Sequence, residues 1–149
     1  PPALDDLRRL PWTTACIREG LRLNPPAWVF GRLAIEPDVL GGYAIPAGTL
    51  VMMSPFVTHR RADLWDDPLA FRPERFLEED PKRHPFAFHP FGGGPRMCIG
   101  QHFAHMEMQV VVATIARRIG RLRRVHPEVE GWRPLVTLRP VDDVPLRVG

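Results

Sequence analysis

The sequence predicts a mainly α-helical fold with small β-sheets, an α+β arrangement, and three observations support this prediction. Two segments, at residues 11–23 and 99–122, have helical patterns. Short apolar runs between residues 28 and 53 are punctuated by glycine and proline, as short strands are. Eighteen prolines among 149 residues keep most other elements short.

The first half of the chain is predicted to hold one long helix, three strands and one short helix. Pro11 suits the first turn of a helix, and the Asn-Pro-Pro run at 24–26 ends it. Three strands are predicted, at residues 28–35, 39–45 and 49–53. A short helix is predicted over 55–61.

The second half is predicted to hold a long loop, a buried helix and two closing strands. The loop runs from 64 to 91, and we expect its aromatic side chains to pin it to the body of the protein: Trp65, Phe71, Phe76, Phe86, Phe88 and Phe91. The helix over 99–122 is apolar around most of its circumference, which predicts burial. The closing strands are predicted at 135–138 and 146–148.

Composition indicates a soluble globular protein. Apolar residues make up 44% and charged residues 25%, both ordinary values. No run approaches the roughly 20 apolar residues of a membrane span, and no signal peptide is visible. Cys16 and Cys98 give no disulfide framework and too few thiolates for an iron–sulfur cluster. A net charge of +3 gives no reason to expect nucleic-acid binding.

The most informative segment is a glycine-rich run with a cysteine near its end. Residues 91–100 read Phe-Gly-Gly-Gly-Pro-Arg-Met-Cys-Ile-Gly and come directly before the second helical pattern. Glycine removes side-chain bulk, so this loop is predicted to approach a flat ligand closely. Cys98 would lie near a helix N-terminus, with Arg96 close by, and both features favour a thiolate. Such a thiolate suits the axial ligand of a haem iron.

This loop has three other interpretations. A phosphate-binding loop would require Gly-Lys-Ser/Thr, which is absent here. Cys98 could be an ordinary buried thiol. Cys98, His102 and His105 could also bind zinc, because their spacing places them on one helical face. Zinc, however, gives no reason for the glycines or for Arg96, and the histidines suit surface or packing positions.

The loop resembles the haem-binding signature of the cytochrome P450 family, Phe-x-x-Gly-x-Arg-x-Cys-x-Gly. Its fixed positions are filled by Phe91, Gly94, Arg96, Cys98 and Gly100. Glu19 and Arg22 resemble the family's Glu-x-x-Arg motif, and residues 71–76 resemble its Pro-Glu-Arg-Phe segment. The resemblance implies that residues 1–149 are the C-terminal haem-binding portion of a single cytochrome P450 domain, with the N-terminal part absent.

The resemblance also implies a role for each matching residue. Cys98 would be the axial ligand of the iron, with Phe91 packed against its loop, and no further catalytic side chain is expected. Arg32 and Arg96 would pair with the haem propionates, although Arg32 could instead be a solvated strand residue. A buried charge triad would lock the loop that leads to the cysteine: Glu19, Arg22 and Arg75.

The implied activity is that of a haem-thiolate monooxygenase, which inserts one oxygen atom from O2 into a small organic substrate. Its cofactor would be haem b, with electrons from NAD(P)H through a ferredoxin, a flavodoxin or a flavoprotein reductase. The alternative is a truncated, non-catalytic haem-binding remnant, and the 149 residues alone are not expected to turn over substrate. Bacterial cytoplasm is the expected location. One basic cluster either solubilises the surface or docks an acidic donor: Arg117, Arg118, Arg121, Arg123 and Arg124.

Overall fold

The computed structural model describes residues 3–78, 80–119, 121–125 and 131–149. Four α-helices are present in this part of the chain: α1 (Leu4–Leu7), α2 (Pro11–Leu23), α3 (Pro55–Thr58) and α4 (Gln101–Arg118). Eight short strands accompany them: β1 (Phe30–Leu33), β2 (Asp38–Leu40), β3 (Tyr43–Ile45), β4 (Leu50–Met53), β5 (Leu122–Arg124), β6 (Trp132–Pro134), β7 (Leu138–Pro140) and β8 (Leu146–Val148). The predicted α+β arrangement is confirmed.

Helix α2 has the predicted bounds. It begins at Pro11, whose missing N–H is harmless in a first turn, and it ends at Leu23 before Asn24. Its buried face carries Ala15, Ile17 and Leu21, together with two charged residues described below. The helix packs against α4 and against the 3₁₀ turn Pro73–Phe76.

The strands form two-stranded antiparallel sheets. Strand β1 pairs with β4, with Phe30 opposite Met53 and Leu33 opposite Leu50. The predicted single strand at 39–45 is wrong, because that segment is the hairpin β2–β3. Gly41 and Gly42 have φ of 58° and 86°, the left-handed pair that a tight two-residue hairpin turn requires.

The C-terminal strands differ from the prediction at one place. Strand β8 at Leu146–Val148 is confirmed, and it pairs with β5. The strand predicted at 135–138 is wrong: residues 135–137 connect β6 to β7. Strands β6 and β7 run antiparallel with Arg133 opposite Arg139, and residues 135–137 form the turn between them.

The loop at 64–91 is held by a small aromatic core. Trp65 and Phe76 are buried with Ala15 of α2, and Phe88 packs against them. The rings of Trp65 and Phe76 lie 5.8 Å apart and those of Phe76 and Phe88 lie 4.9 Å apart, centroid to centroid. The loop is therefore ordered by packing, with 3₁₀ turns at Pro73–Phe76 and Pro85–Ala87.

Two of the predicted pinning aromatics do not have that role, since Phe71 and Phe86 are each 56% exposed. At Phe71 the backbone makes the attachment, because the flanking Ala70 carbonyl and Arg72 N–H are both hydrogen-bonded to α2. The Phe86 ring instead lies over Gly93, where an added Cβ would come within 2.6 Å of Phe86 Cε1.

Helix α4 is shorter and more exposed than predicted. It ends at Arg118 rather than near residue 122, because Leu122 belongs to β5 and pairs with Val148. Ala113 is its one buried residue among those described, whereas Phe103 is 64% exposed and Val111 49% exposed. Helices α1 and α2 pack against it, yet most of its described residues stay exposed or half-buried, so the prediction of a buried helix is wrong for this chain.

Candidate functional site

The cysteine loop makes a tight path that ends at the start of α4. Gly92 and Gly94 have φ of 75° and 67°, a conformation that side chains with a Cβ rarely adopt. A 3₁₀ turn follows at Gly94–Arg96. The N–H of Cys98 donates to the Phe91 carbonyl at 3.0 Å, which closes the loop on itself. The glycines are therefore required by backbone geometry as well as by lack of bulk.

Cys98 lies on the surface of this loop, two residues before the helix cap Gly100. A Cβ at Gly100 would lie 3.9 Å from the Cys98 sulfur, so the cap leaves space beside the thiol. Cys16 is half-buried, and burial, aided by the charge of Glu74, raises the pKa of its thiol. Cys98 is thus the more accessible of the two sulfurs, which contradicts the alternative of a buried thiol.

The zinc alternative finds no support. Within the described residues, no group of three His, Cys, Asp or Glu side chains is placed to hold a metal ion. His105 is half-buried and packs against Phe91, with ring centroids 5.1 Å apart. His105 is therefore a packing residue beside the cysteine loop, which is one of the two positions, surface or packing, predicted for the histidines.

A mostly apolar cavity of about 680 Å³ opens beside the loop. Its wall includes the backbone of Gly93 and Gly94, with Phe30 and Arg32 from β1. This volume is within the range of cofactor sites in proteins. Arg32 lies in the wall of this cavity, whereas Arg96 is exposed at the end of the 3₁₀ turn.

The two charged residues buried on α2 form a fully hydrogen-bonded pair. Arg22 Nε and Nη2 donate to the two carboxylate oxygens of Glu19 at 2.7 and 2.8 Å, and both side chains are 0% exposed. The remaining guanidinium hydrogens donate to three backbone carbonyls, those of His59, Pro68 and Ala70. All five donors of Arg22 are thus used, which is the condition for burying a guanidinium.

Arg75, which lies in the loop at 64–91, joins this pair. Its Nε donates to Glu19 Oε1 at 3.1 Å, and the Arg72 N–H donates to the same oxygen at 2.8 Å. Burial opposes ionisation of Glu19, but hydrogen bonds from Arg22 and Arg72 and the charges of Arg22 and Arg75 outweigh it, so the pKa of Glu19 is lowered. The structure therefore brings Glu19, Arg22 and Arg75 together as one ionised network.

His59 is a site residue that the sequence reasoning missed. It follows α3 and is 0% exposed, and its carbonyl accepts from Arg22 while its ring Nδ1 lies 3.2 Å from the Arg22 carbonyl. Its Nε2 accepts the N–H of His89, just before the cysteine loop, at 2.9 Å. Burial and the neighbouring charges of His89, Arg22 and Arg60 lower the pKa of His59 to about 3. No signal in one sequence distinguishes this histidine from an exposed one.

Similarity to known proteins identifies the family of this chain. The family model described as "Cytochrome P450" matches residues 1–120. This chain belongs to the cytochrome P450 family. Among its relatives, "Cytochrome P450 4F4" of Rattus norvegicus is 43% identical over 148 residues, covering 97% of this chain and 28% of that protein. "Putative cytochrome P450 132" of Mycobacterium tuberculosis is 39% identical over 141 residues, covering 93% of this chain and 30% of that protein.

Solved cytochrome P450 structures share the fold. One described as "Retinoic acid bound cyanobacterial CYP120A1" matches with a TM-score of 0.92 and 29% identity, covering 100% of this chain and 34% of that one. The chain thus spans about a third or less of the length of these relatives. In the described part of the chain, no helix has the length and apolar character needed to cross a membrane.

Proposed function

We propose that this cytochrome P450 chain forms the cysteine side of a haem b site in a monooxygenase. The substrate would be a small organic molecule into which one oxygen atom from O2 is inserted. Electrons would come from NAD(P)H through a ferredoxin, a flavodoxin or a flavoprotein reductase. The relatives include animal and bacterial proteins, so bacterial cytoplasm stays a prediction.

The exposed Cys98 on a glycine loop beside an apolar cavity is the observation that carries this proposal. Haem b is a flat, apolar ring with two carboxylate groups, so it needs apolar walls, a close backbone and cations. Phe30 and Met53 supply apolar wall, Gly93 and Gly94 supply bare backbone, and Arg32 supplies a cation. These residues fit the group.

Each residue of the site has a distinct task in this proposal. Cys98 would give its sulfur to the iron, and Arg32 and Arg96 would pair with the two propionates. The Phe91 ring packs against His105 of α4 and its carbonyl accepts the Cys98 N–H, so Phe91 would anchor the cysteine loop to that helix. When bound, the haem supplies the oxygen chemistry, with a thiolate ligand that favours O–O cleavage.

The buried network would keep the cysteine loop in place before haem arrives. Glu19 and Arg22 are fixed to each other on α2. Through Ala70 and Arg72 they also fix the backbone of the loop at 64–91, which leads to the cysteine loop. Arg75 adds a side-chain link from the same loop. These residues support the site and take no part in the chemistry, as an ordered supporting shell does in other metal sites.

Electron delivery is proposed to use the basic cluster formed by the end of α4 and the segment that follows it, including β5. The five arginines of the cluster are exposed: Arg117, Arg118, Arg121, Arg123 and Arg124. Opposite charges on a redox partner would steer its approach to this surface, and salt would screen the attraction.

The test is a spectrum of the protein expressed from its complete coding sequence and loaded with haem. Cys98→Ser should abolish the red-shifted Soret band that a thiolate-ligated haem gives when reduced and bound to CO. Cys16→Ser is the matched control and should retain the band. Survival of the band in the Cys98→Ser protein would overturn the proposal.

A further inference from the structure

His59 connects Arg22 of α2 with His89, just before the cysteine loop. On one side it exchanges contacts with Arg22: Arg22 Nη1 donates to the His59 carbonyl at 2.7 Å, and His59 Nδ1 lies 3.2 Å from the Arg22 carbonyl. On the other side its Nε2 lies 2.9 Å from the backbone nitrogen of His89. Its ring also packs against Phe88, with centroids 5.3 Å apart.

The hydrogen bonds determine which ring nitrogen of His59 carries the proton. The His89 backbone N–H can only donate, so Nε2 must be the unprotonated nitrogen that accepts it. The single ring proton then lies on Nδ1, where the Arg22 carbonyl accepts it. A protonated ring would place a second N–H against the His89 N–H, and burial with the nearby charges of His89, Arg22 and Arg60 opposes that charge.

His89 begins the tight turn at residues 89–92, which leads into the cysteine loop. Its carbonyl accepts the Gly92 N–H at 3.0 Å, and the Phe91 carbonyl accepts the Cys98 N–H at 3.0 Å. A continuous series of hydrogen bonds therefore runs from Glu19 through Arg22, His59 and His89 to the cysteine loop.

We propose that His59 is a positioning residue, whose Nε2 fixes the His89 N–H and so couples the Glu19–Arg22 pair to the Cys98 loop. The inference rests on the proposed haem-ligand role of Cys98 and adds the residue that holds that ligand in register. His59 acts on the loop through the His89 N–H and through ring contacts with Phe88 and His89, and His89 itself lines the cavity.

Two substitutions separate this role from simple filling of space. In His59→Gln the amide oxygen reaches about where Nε2 lies and can still accept the His89 N–H. In His59→Asn the shorter amide reaches about where Nδ1 lies, so it keeps the Arg22 contact and loses the His89 contact. His84→Asn is the matched control, because His84 is exposed and asparagine can also cap the 3₁₀ turn it precedes.

The measurements are made on the protein from its complete coding sequence. Without haem, amide hydrogen exchange over residues 88–98 should be about 5- to 100-fold faster in His59→Asn, because a buried N–H has lost its acceptor. It should be near the wild-type rate in His59→Gln and in His84→Asn. With haem, His59→Asn should give a smaller red-shifted Soret band in the reduced, CO-bound state, and His59→Gln should restore it.

A measurement on the wild-type protein keeps the inference testable if His59→Asn does not fold. Nitrogen NMR of labelled histidine in the diamagnetic reduced, CO-bound state should show His59 as the Nδ1–H tautomer, and an Nε2–H tautomer would overturn the inference. Equal exchange and equal spectra in the Asn and Gln variants would also overturn it, while leaving the function of Cys98 intact. Absence of the red-shifted band in the wild type would instead overturn the proposed function.

Discussion

Replacing Glu19 by glutamine tests how much the buried network contributes to stability. The variant keeps the size of the side chain but removes the negative charge that faces Arg22 and Arg75, both of which bind Glu19 Oε1. The Arg22 side chain is 0% exposed and Glu19 is the carboxylate it binds, so its charge would remain buried without that ionic partner. Breaking one side of such a pair destabilises by about 3–5 kcal/mol. A domain of ordinary stability has about 5–15 kcal/mol in total.

The assay is urea unfolding of the haem-free protein followed by circular dichroism. With a slope of about 2–3 kcal/mol per molar urea, the midpoint should fall by roughly 1–2.5 M. The control is Asp63→Asn, which removes a bridge to Arg61 between side chains that are 56% and 60% exposed, and no measurable change is expected. The double variant Glu19→Gln with Arg22→Met should be less destabilised than the two single changes predict together. A midpoint for Glu19→Gln equal to that of Asp63→Asn would refute the reasoning.

Three further predictions concern the residues around the network and the loop. The folded protein keeps His59 neutral down to about pH 3, whereas the unfolded chain protonates it near pH 6.5; the free energy of unfolding should therefore fall as the pH drops below 6.5. His59→Gln should flatten that dependence between pH 6.5 and 4.5 in urea titrations, and an unchanged slope would contradict the assignment. Alkylation of the haem-free protein should modify Cys98 faster than Cys16, because Cys16 is half-buried with a raised thiol pKa; mass spectrometry of the peptides gives the two rates, and faster loss of Cys16 would contradict the placement of Cys98. Gly92→Ala should lower the free energy of unfolding by about 1–2 kcal/mol, since Gly92 has a φ of 75°. Gly92→Asn should lower it less. Equal unfolding midpoints for the wild type and both variants would show that this turn does not require the left-handed conformation.

The sequence predicts those features that depend on local chemistry. Pro11 and the Asn-Pro-Pro run delimit α2 because proline restricts the backbone in the same way in every context. The run at 91–100 predicts a tight ligand loop with little side-chain bulk, because its glycines determine the bulk and its cysteine determines the chemistry. The assigned roles of these residues toward haem stay predictions, as do those of Arg32 and Arg96.

The features that the sequence does not predict depend on contacts between distant segments. His59 is buried because α2 and the loop at 88–89 close over it, and those partners lie about 30 residues or more away in sequence. Helix α4 has the apolar pattern of a buried helix, yet burial depends on which neighbours pack against it, and among its described residues the packing of α1 and α2 buries only Ala113. The hairpin β2–β3 differs from the prediction for a local reason: the apolar residues on both sides of Gly41-Gly42 favour one continuous strand, although the glycine pair is itself a turn signal.

X-ray absorption at the iron edge tests the central claim most directly. In the haem-loaded protein from the complete coding sequence, the iron should have one sulfur neighbour in its first coordination shell. That sulfur should vanish in Cys98→Ser and persist in Cys16→Ser. An iron with only nitrogen and oxygen neighbours in the wild type, or one that keeps its sulfur without Cys98, would contradict the account.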